Sequence, residues 1–203
     1  MDRRNARAMK ADEVTHVVTL SCLDPQGPEA VWAAFVEPER LGRWFLPVTG
    51  DLRLGGRYKF EGNAGGEVRA CDPPNHIAVT WERMGAVSWV DLTFQPEGAG
   101  TQVTLRHTAR AADMPAVMWD QYGPGAVGSG WEGGFLGLQM TLDAPDAPRD
   151  PGRATWHATP QGREFFTESA TAWPEAAIAG GEEAEKMRAT VPNLIAFHTG
   201  SAG

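Results

Sequence analysis

The sequence of 203 residues is poor in cysteine: it has only Cys22 and Cys71, which lie far apart and form no C-x-x-C motif. This usage is typical of reduced thiols in a cytoplasmic protein, with a disulfide between the two as the less favoured alternative. Long apolar runs are missing too, since no segment approaches the roughly 20 residues of a membrane-spanning helix. The basic N-terminus is not followed by the apolar segment of a signal peptide. We therefore expect a cytoplasmic protein with no membrane partner.

Positive charge is also scarce in this chain. It has 18 basic and 26 acidic residues, which gives a net charge of −8. A general binder of nucleic acids or of anionic membranes needs a basic surface, so the charge argues against both partners. Four basic residues crowd into the first ten positions, namely Arg3, Arg4, Arg7 and Lys10. This composition predicts that residues 1–13 are a disordered, solvated basic tail.

Motifs that would hold a metal ion or a cofactor are missing as well. The histidines are scattered, and they are His16, His76, His107, His157 and His198. They form no H-x-x-x-H pair, and there is no cysteine cluster. The segment Gly123–Gly128 matches G-x-G-x-x-G, but a loop precedes it, a proline-rich stretch follows it, and Pro124 removes one backbone donor. We expect no metal and no cofactor.

The chain does contain a regular series of short alternating segments. Residues 14–20 are rich in β-branched side chains and predict a first strand. Pro28 and Pro38 each predict the start of a short helix, because a proline suits the first helical turn. Six further strands are predicted at 48–53, 57–62, 66–72, 76–82, 86–95 and 101–108. Short turns such as Gly55-Gly56 separate them, which predicts an antiparallel meander with one buried face.

The second half of the chain reads as helical. A loop is predicted at 109–123, and a long helix at 125–142, where apolar side chains recur at helical spacing. The proline-rich segment 144–158 predicts a linker after a domain that spans 14–143. Residues 159–203 predict a helical appendage, broken at Gly180-Gly181 and kinked or interrupted at Pro192. Because an antiparallel sheet with one apolar face needs a cover, the long helix should lie on it and leave a cavity.

Glycines crowd the segment that leads into the long helix, from Gly123 to Gly137. Each glycine inside a helix costs about 1 kcal/mol relative to alanine. Two explanations fit this cost. Either the helix approaches another element closely, or the missing side chains leave room for a ligand.

Several short motifs give the chain a family resemblance. They are Pro28-Glu29-Ala-Val-Trp32, Arg43-Trp44-Phe45, the hairpin from Asp51 to Phe60, and Gly-Trp-Glu-Gly-Gly-Phe at 130–135. With them, residues 14–142 resemble the START-like, helix-grip superfamily, also called SRPBCC. Within it the chain is similar to bacterial proteins related to the C-terminal domain of the activator of the heat-shock-protein-ninety ATPase. The resemblance implies an α+β fold of the birch-pollen-allergen type, a curved antiparallel sheet wrapped on a long C-terminal helix.

The predicted cavity should be lined by aromatic and aliphatic side chains. The expected pocket residues are Trp44, Phe45, Phe60, Trp81, Leu92, Leu105, His107, Trp131, Phe135 and Leu138. An ordinary filled core is the alternative to a ligand pocket. His107 is the best single candidate for chemistry, because a buried neutral imidazole can act as a general base or orient a polar group. The alternative for His107 is a structural histidine bonded within the core.

Three functions are compatible with these features. The first is binding of an apolar or amphipathic small molecule in the cavity without reaction, since no matched set of acid, base and nucleophile is visible. The second, implied by the resemblance, is an enzyme of the polyketide cyclase or dehydratase type, with His107 and a carboxylate such as Glu61, Glu82 or Asp91. The third is a protein-interaction domain with a chaperone partner. The appendage should dock on the core or on a second subunit, which makes a homodimer a further expectation.

Overall fold

The structure, a computed structural model, describes residues 1–10, 13–114, 116–144 and 151–200. Within these residues the strands are β1 (Asp2–Lys10), β2 (Glu13–Asp24), β3 (Val48–Gly50), β4 (Arg57–Phe60), β5 (Gly65–Asp72), β6 (His76–Arg83), β7 (Ala86–Glu97) and β8 (Gly100–Arg110). They form one sheet in the order β1-β2-β8-β7-β6-β5-β4-β3. From β3 to β8 each strand pairs antiparallel with the next one along the chain. This pairing confirms the predicted six-stranded meander.

The helices complete an α+β protein, as predicted. They are α1 (Pro28–Val36), α2 (Pro38–Trp44), α3 (Ala116–Tyr122), α4 (Gly125–Asp143), α5 (Pro160–Ala179), α6 (Ala184–Arg188) and α7 (Val191–Thr199). Short 3-10 segments occupy Ala111–Asp113 and Pro151–Ala158. Helices α1 and α2 begin at Pro28 and Pro38, where the missing N–H of proline leaves no donor unpaired. The predicted linker at 144–158 falls partly on residues 145–150, which lie outside the described residues.

The glycine turn between β3 and β4 also follows the sequence prediction. Gly55 has a φ of +77°, a conformation that L side chains rarely adopt. A Cβ on Gly56 would lie 2.4 Å from the Asp51 carbonyl oxygen. Both positions therefore require glycine, and the hairpin is shorter than predicted because its strands span only Val48–Gly50 and Arg57–Phe60.

The prediction of a disordered tail at residues 1–13 is wrong. Asp2–Lys10 form strand β1 at one edge of the sheet, next to β2. Asn5 is buried, and its Nδ2 donates to the Val17 carbonyl oxygen at 3.2 Å. A charged edge strand is a common device against edge-to-edge aggregation, so its composition resembles that of a tail.

Two predictions about the helices also need correction. The predicted loop at 109–123 contains α3, whose buried residue is Trp119. A single buried ring in seven residues gives too weak a periodicity to separate a short helix from a loop. The predicted kink or interruption at Pro192 lies slightly earlier in the chain, between the end of α6 at Arg188 and the start of α7 at Val191. Pro192 itself stands in the first turn of α7.

The chain divides into two compact units. The first contains Met1–Asp2, Thr19–Ala109 and Gly134–Ala147, and the second contains Arg3–Val18, Arg110–Gly133 and Pro148–Gly203. The predicted division into a domain at 14–143 and an appendage at 159–203 remains a prediction. The candidate ligand residues belong mainly to the first unit, whose meander and helices α1 and α2 carry the aromatic side chains.

The glycines at the start of α4 allow close packing within the second unit. A Cβ on Gly128 would lie 2.2 Å from Cε2 of Trp173, and one on Gly125 would lie 2.5 Å from Cδ1 of Leu194. Trp173 and Leu194 are fully buried on α5 and α7. Close approach, the first of the two explanations for these glycines, therefore accounts for both positions.

A buried carboxylate lies beside the same tryptophan. Glu132 is 1% exposed, and its Oε1 accepts from Nε of Arg3 at 2.8 Å. Its Oε2 accepts from Nε1 of Trp173 at 2.9 Å and from the hydroxyl of Ser169. Ser169 Oγ in turn lies 2.8 Å from Ser129 Oγ. Both carboxylate oxygens are thus paired, which is the condition for burying such a charge without a large penalty.

Two glycine substitutions in α4 should have opposite effects. We expect Gly128→Ala to lower the free energy of unfolding by about 1–3 kcal/mol, because the methyl group would overlap the Trp173 ring in a filled core. Gly130→Ala should raise it by up to about 1 kcal/mol, because nothing lies within 4 Å of its added Cβ and alanine favours a helix. Urea denaturation of both variants measures the difference. Equal effects would contradict the close contact at Gly128.

Arginines at positions 3 and 7 of β1 allow a matched test of burial. Arg3→Met should destabilise the protein by about 3 kcal/mol, because it leaves the buried Glu132 carboxylate without its cation. Arg7 pairs with Glu182, but its side chain is 59% exposed. Arg7→Met should therefore cost less than about 1 kcal/mol. A disordered N-terminus would instead make both substitutions neutral in the same denaturation experiment.

Candidate functional site

The pairing of β6, β7 and β8 decides which side chains share the inner face of the first unit. Val79, Val90 and His107 lie opposite one another on the three strands, and Trp81 lies opposite Ser88. Among the paired residues, alternation then places the following on the inward side: Ile77, Val79, Trp81, Arg83, Ala86, Ser88, Val90, Leu92, Phe94, Pro96, Thr101, Val103, Leu105 and His107. The one charged side chain in this set is that of Arg83, which is exposed at the hairpin between β6 and β7, and His107 is its titratable group.

A continuous series of aromatic contacts crosses this face. The ring centroids of Trp44 and Phe45 lie 5.5 Å apart, and those of Phe45 and Phe60 lie 5.1 Å apart. From Phe60 the next centroid, that of Trp81, is at 5.6 Å, and the imidazole of His107 is 6.2 Å from Trp81. These tilted and edge-to-face geometries are the preferred ones for aromatic pairs. Five of the predicted pocket residues are thereby brought together.

Helix α1 contributes a ring that the pocket prediction missed. Phe35 lies 4.9 Å from Trp44, 5.1 Å from Phe94 and 6.2 Å from Phe135, measured between ring centroids. Phe94 was missing from the prediction as well, although the sequence indicated it, because Phe94 continues the inward alternation of Val90 and Leu92. Phe35 could not be placed in the same way, because the apolar side of a nine-residue helix does not indicate what it contacts.

Trp44 is fixed at one end of this series by a hydrogen bond. It is 2% exposed, and its Nε1 donates to the Ala34 carbonyl oxygen of α1 at 2.8 Å. The remaining predicted residues are placed as follows: Leu105, Phe135 and Leu138 are fully buried in the first unit, Leu92 is half-buried there, and Trp131 belongs to the second unit.

The inner face keeps accessible surface along two of its strands. Val79, Trp81, Ser88 and Leu92 are half-buried although they point inward. Val90, which lies among them, is only 2% exposed. In a sheet face filled by its own side chains, all five would be buried. These four residues therefore keep part of their surface in contact with solvent.

His107 bonds to Ser88, a residue that the sequence reasoning did not single out. The Nε2 of His107 lies 2.8 Å from Ser88 Oγ, and Ser88 Oγ donates to the Trp81 carbonyl oxygen at 3.2 Å. A carbonyl oxygen can only accept, so the serine proton goes to Trp81 and His107 donates from Nε2. Burial lowers the pKa of His107 to about 4, because it removes the charged imidazole from water. The imidazole is therefore neutral at pH 7.

The carboxylates proposed as partners for His107 lie elsewhere. Glu82 accepts hydrogen bonds from Arg57 at 2.7 Å and from Thr80 at 3.0 Å. Asp91 lies 3.5 Å from Nε2 of His76 and is opposite Arg106 in the sheet, on the outward face. Glu61 is exposed. The pKa of Glu82 is lowered, chiefly by its hydrogen bond to Arg57, so it is ionised at neutral pH.

A groove lies on the outward face of the sheet, separate from the aromatic rings of the inner face. It has a volume of about 370 Å³, and its lining includes Arg57, Lys59 and Glu82 at strands β4 to β6. Arg57 is bonded to Glu82, and Lys59 Nζ donates to the Asn63 carbonyl oxygen. Its charged groups therefore already have protein partners, and the groove is wide open to solvent.

The described residues offer no group of three or more histidine, cysteine, aspartate or glutamate side chains that could hold a metal ion. The G-x-G-x-x-G segment does not fit a dinucleotide either. Its Gly125 and Gly128 are covered by Leu194 and Trp173, so no cradle for phosphates is left there. In the described part of the chain, no helix is long and apolar enough to cross a membrane.

An antiparallel α+β sheet with a long C-terminal helix and an aromatic inner face defines the helix-grip class of the START-like superfamily. The family model described as Activator of Hsp90 ATPase homolog 1-like protein matches residues 26–143, more than half of the chain. The protein belongs to this family. The resemblance inferred from the sequence motifs is thereby confirmed, and so is the fold that it implied. A comparison with curated proteins gives no match.

Solved structures show the same fold. The crystal structure of CalU16 from Micromonospora echinospora has a TM-score of 0.68 and 26% identity, and the match covers 87% of this chain and 98% of that one. Protein MLL2253 from Mesorhizobium loti has a TM-score of 0.56 and 22% identity, over 64% and 99% of the chains. DynU16, a protein in the dynemicin biosynthetic locus, has a TM-score of 0.56 and 19% identity, over 66% and 49%. The CalU16 match extends beyond residues 26–143, so that protein shares part of the remaining chain as well.

The depressed pKa of His107 predicts a pH-dependent stability. The unfolded chain binds a proton near pH 6.5, whereas the folded imidazole binds one only near pH 4. Folding stability should therefore fall as the pH drops from about 6.5 to 4, by about 3 kcal/mol from this group. His107→Gln should remove this contribution to the slope of the free energy of unfolding against pH.

Urea denaturation at several pH values measures this slope. Other buried histidines such as His16 contribute equally to the parent protein and to His107→Gln and cancel in the comparison. Identical slopes for the parent protein and His107→Gln would contradict a buried neutral imidazole.

Proposed function

We propose that the first unit binds an apolar small molecule on the inner face of its sheet, without transforming it. The observation that carries this proposal is the accessible surface of Val79, Trp81, Ser88 and Leu92 on a face lined by aromatic rings. Apolar surface left in contact with water is unfavourable by about 25 cal/mol per Å², so a ligand that covers it gains that free energy. Ligand sites are commonly lined in this way, with few polar groups.

The surroundings of His107 favour binding over catalysis. The imidazole with a pKa of about 4 is neutral but weakly basic, whereas a general base works best when its pKa lies near the operating pH. Glu82 and Asp91, the carboxylates that a cyclase-type mechanism would need beside it, are engaged on the outward side of the sheet. The Ser88–His107 pair is better suited to orient one polar group of a ligand.

The proposed compartment is the cytoplasm. Cys22 and Cys71 are both free thiols. Burial raises the pKa of Cys22 to about 11, so that this thiol stays protonated and unreactive. Two unpaired cysteines in one chain fit a reducing environment better than an oxidising one.

Filling the inner face should abolish binding. We expect Leu92→Trp to weaken the binding of a neutral apolar dye such as Nile red by about tenfold or more, because the larger ring occupies the accessible space. Thr93→Trp is the matched control, because the neighbouring side chain of the same strand points to the outward face. Fluorescence titration gives both affinities, and circular dichroism checks that both variants fold.

Equal binding of the dye by the parent protein and by Leu92→Trp would contradict the proposal. Native mass spectrometry of the purified protein adds an independent measurement. A bound small molecule that disappears in Leu92→Trp but persists in Thr93→Trp would support the inner face as the site.

A further inference from the structure

We infer that the inner face selects an uncharged aromatic ligand that donates one hydrogen bond, such as a phenol or an aryl alcohol, to Ser88 Oγ. The inference rests on the proposed function and specifies the ligand class of the same site. It follows from three features of the inner face: the hydrogen-bonding capacity left on Ser88, the charge of the surrounding side chains, and the rings next to that serine.

The hydroxyl of Ser88 has one proton and two lone pairs. The proton is donated to the Trp81 carbonyl oxygen, and one lone pair accepts the Nε2–H of His107. One lone pair of Ser88 Oγ remains to accept a hydrogen bond from a ligand. A ligand O–H or N–H can donate to it, whereas a ketone or ester has nothing to donate.

The charge of the inner face excludes an ionised ligand head. Apart from Ser88, Thr101 and the neutral His107, the side chains that β6, β7 and β8 turn inward are apolar, with one exception: Arg83, which lies opposite Ala86 at the end of β6 and is exposed. On the neighbouring strands β4 and β5, Arg57 is paired with Glu82 and Arg69 with Glu67. Because Arg83 is exposed, its charge stays in water, and a carboxylate buried beside Ser88 and His107 would lose its hydration without gaining a buried cation, which is strongly unfavourable. A negative oxygen would also face the remaining lone pair of Ser88.

The rings around Ser88 favour a flat aromatic body. Trp81 lies directly opposite Ser88 in the sheet and is half-buried. Its ring continues into those of Phe60 and Phe45, with centroid distances of 5.6 and 6.3 Å from Trp81. A ligand ring placed beside Ser88 can therefore make the offset or edge-to-face contacts that aromatic pairs prefer.

Three naphthalenes of nearly equal shape test the inference: 2-naphthol, 2-methylnaphthalene and 2-naphthoate. At pH 7 the phenol is neutral and the carboxylate ionised, since such groups titrate near pH 10 and pH 4. We expect 2-naphthol to bind about five- to tenfold more tightly than 2-methylnaphthalene, the effect of one net hydrogen bond. The naphthoate should bind at least about 100-fold more weakly than the phenol. Tryptophan fluorescence or isothermal titration calorimetry measures all three affinities.

Two serine variants locate the hydrogen bond. Ser88→Ala should reduce 2-naphthol binding to the level of 2-methylnaphthalene and leave the latter unchanged. Ser21→Ala is the matched control, because this serine pairs with Thr104 at 3.0 Å on the outward face, and the variant should keep the preference for the phenol.

The outcomes separate the inference from the function on which it rests. If 2-methylnaphthalene and 2-naphthol bind equally well, the site stands and the inference is overturned. A naphthoate affinity equal to that of the phenol, or a phenol preference that survives in Ser88→Ala, overturns it as well. If neither neutral compound binds, the proposed function itself fails.

Discussion

The candidate site depends on the pairing register of β6, β7 and β8. This register places Val79, Val90 and His107 in one row and sets Trp81 opposite Ser88. Side chains alternate between the two faces of a strand, so a slip by one residue would turn the whole set outward. The apolar residues of the three strands hold the register, because any slip would expose Val103, Leu105 and Phe94 to water. The position of the Ser88–His107 contact is therefore a consequence of the core around it.

The second unit shows how a buried charge and a row of glycines can serve a structural purpose. Gly128 brings α4 close enough for the ring of Trp173 to lie against its backbone. That approach carries Nε1 of Trp173 to Glu132, whose other oxygen binds Arg3. Replacing the glycine would push the ring away and leave a buried carboxylate short of a donor. The helical cost of the glycine is thus offset by a contact that a larger residue would prevent.

Much of the fold could be predicted from the sequence because its signals are local. Period-two alternation and glycine turns gave the meander, and Pro28 and Pro38 marked two helix starts. The N-terminal strand could not be predicted in this way. Among residues 2–8 of this strand the buried one is Asn5, and the partners of Arg3 and Arg7 are Glu132 and Glu182, more than a hundred residues away. A strand held by such distant polar contacts leaves no periodic pattern of its own.

The apolar part of the candidate site and His107 could be predicted from the sequence, whereas Ser88 could not. Aromatic residues at the end of α2 and at inward positions of the strands predict that rings meet, and Trp44, Phe45, Phe60 and Trp81 do so. Ser88 carried no signal, because a serine in a strand is ordinarily a surface residue. Its importance arises from cross-strand geometry: it lies opposite Trp81 and within 2.8 Å of His107.

The Ser88–His107 pair also explains why a titratable histidine is tolerated in an apolar face. A buried imidazole that lost its partner would leave a polar nitrogen unsatisfied, at a cost of about 1–3 kcal/mol. Ser88 removes that cost by accepting from Nε2, and the Trp81 carbonyl oxygen in turn accepts the serine proton. The chain of donors has one direction and ends at the strand, which leaves the remaining serine lone pair on the inner face, while burial keeps the imidazole neutral. A protonated imidazole would stay buried on an apolar face with no compensating anion among the inward side chains of β6 to β8. The same geometry that makes His107 a poor acid or base at neutral pH therefore makes Ser88 a fixed acceptor beside Trp81.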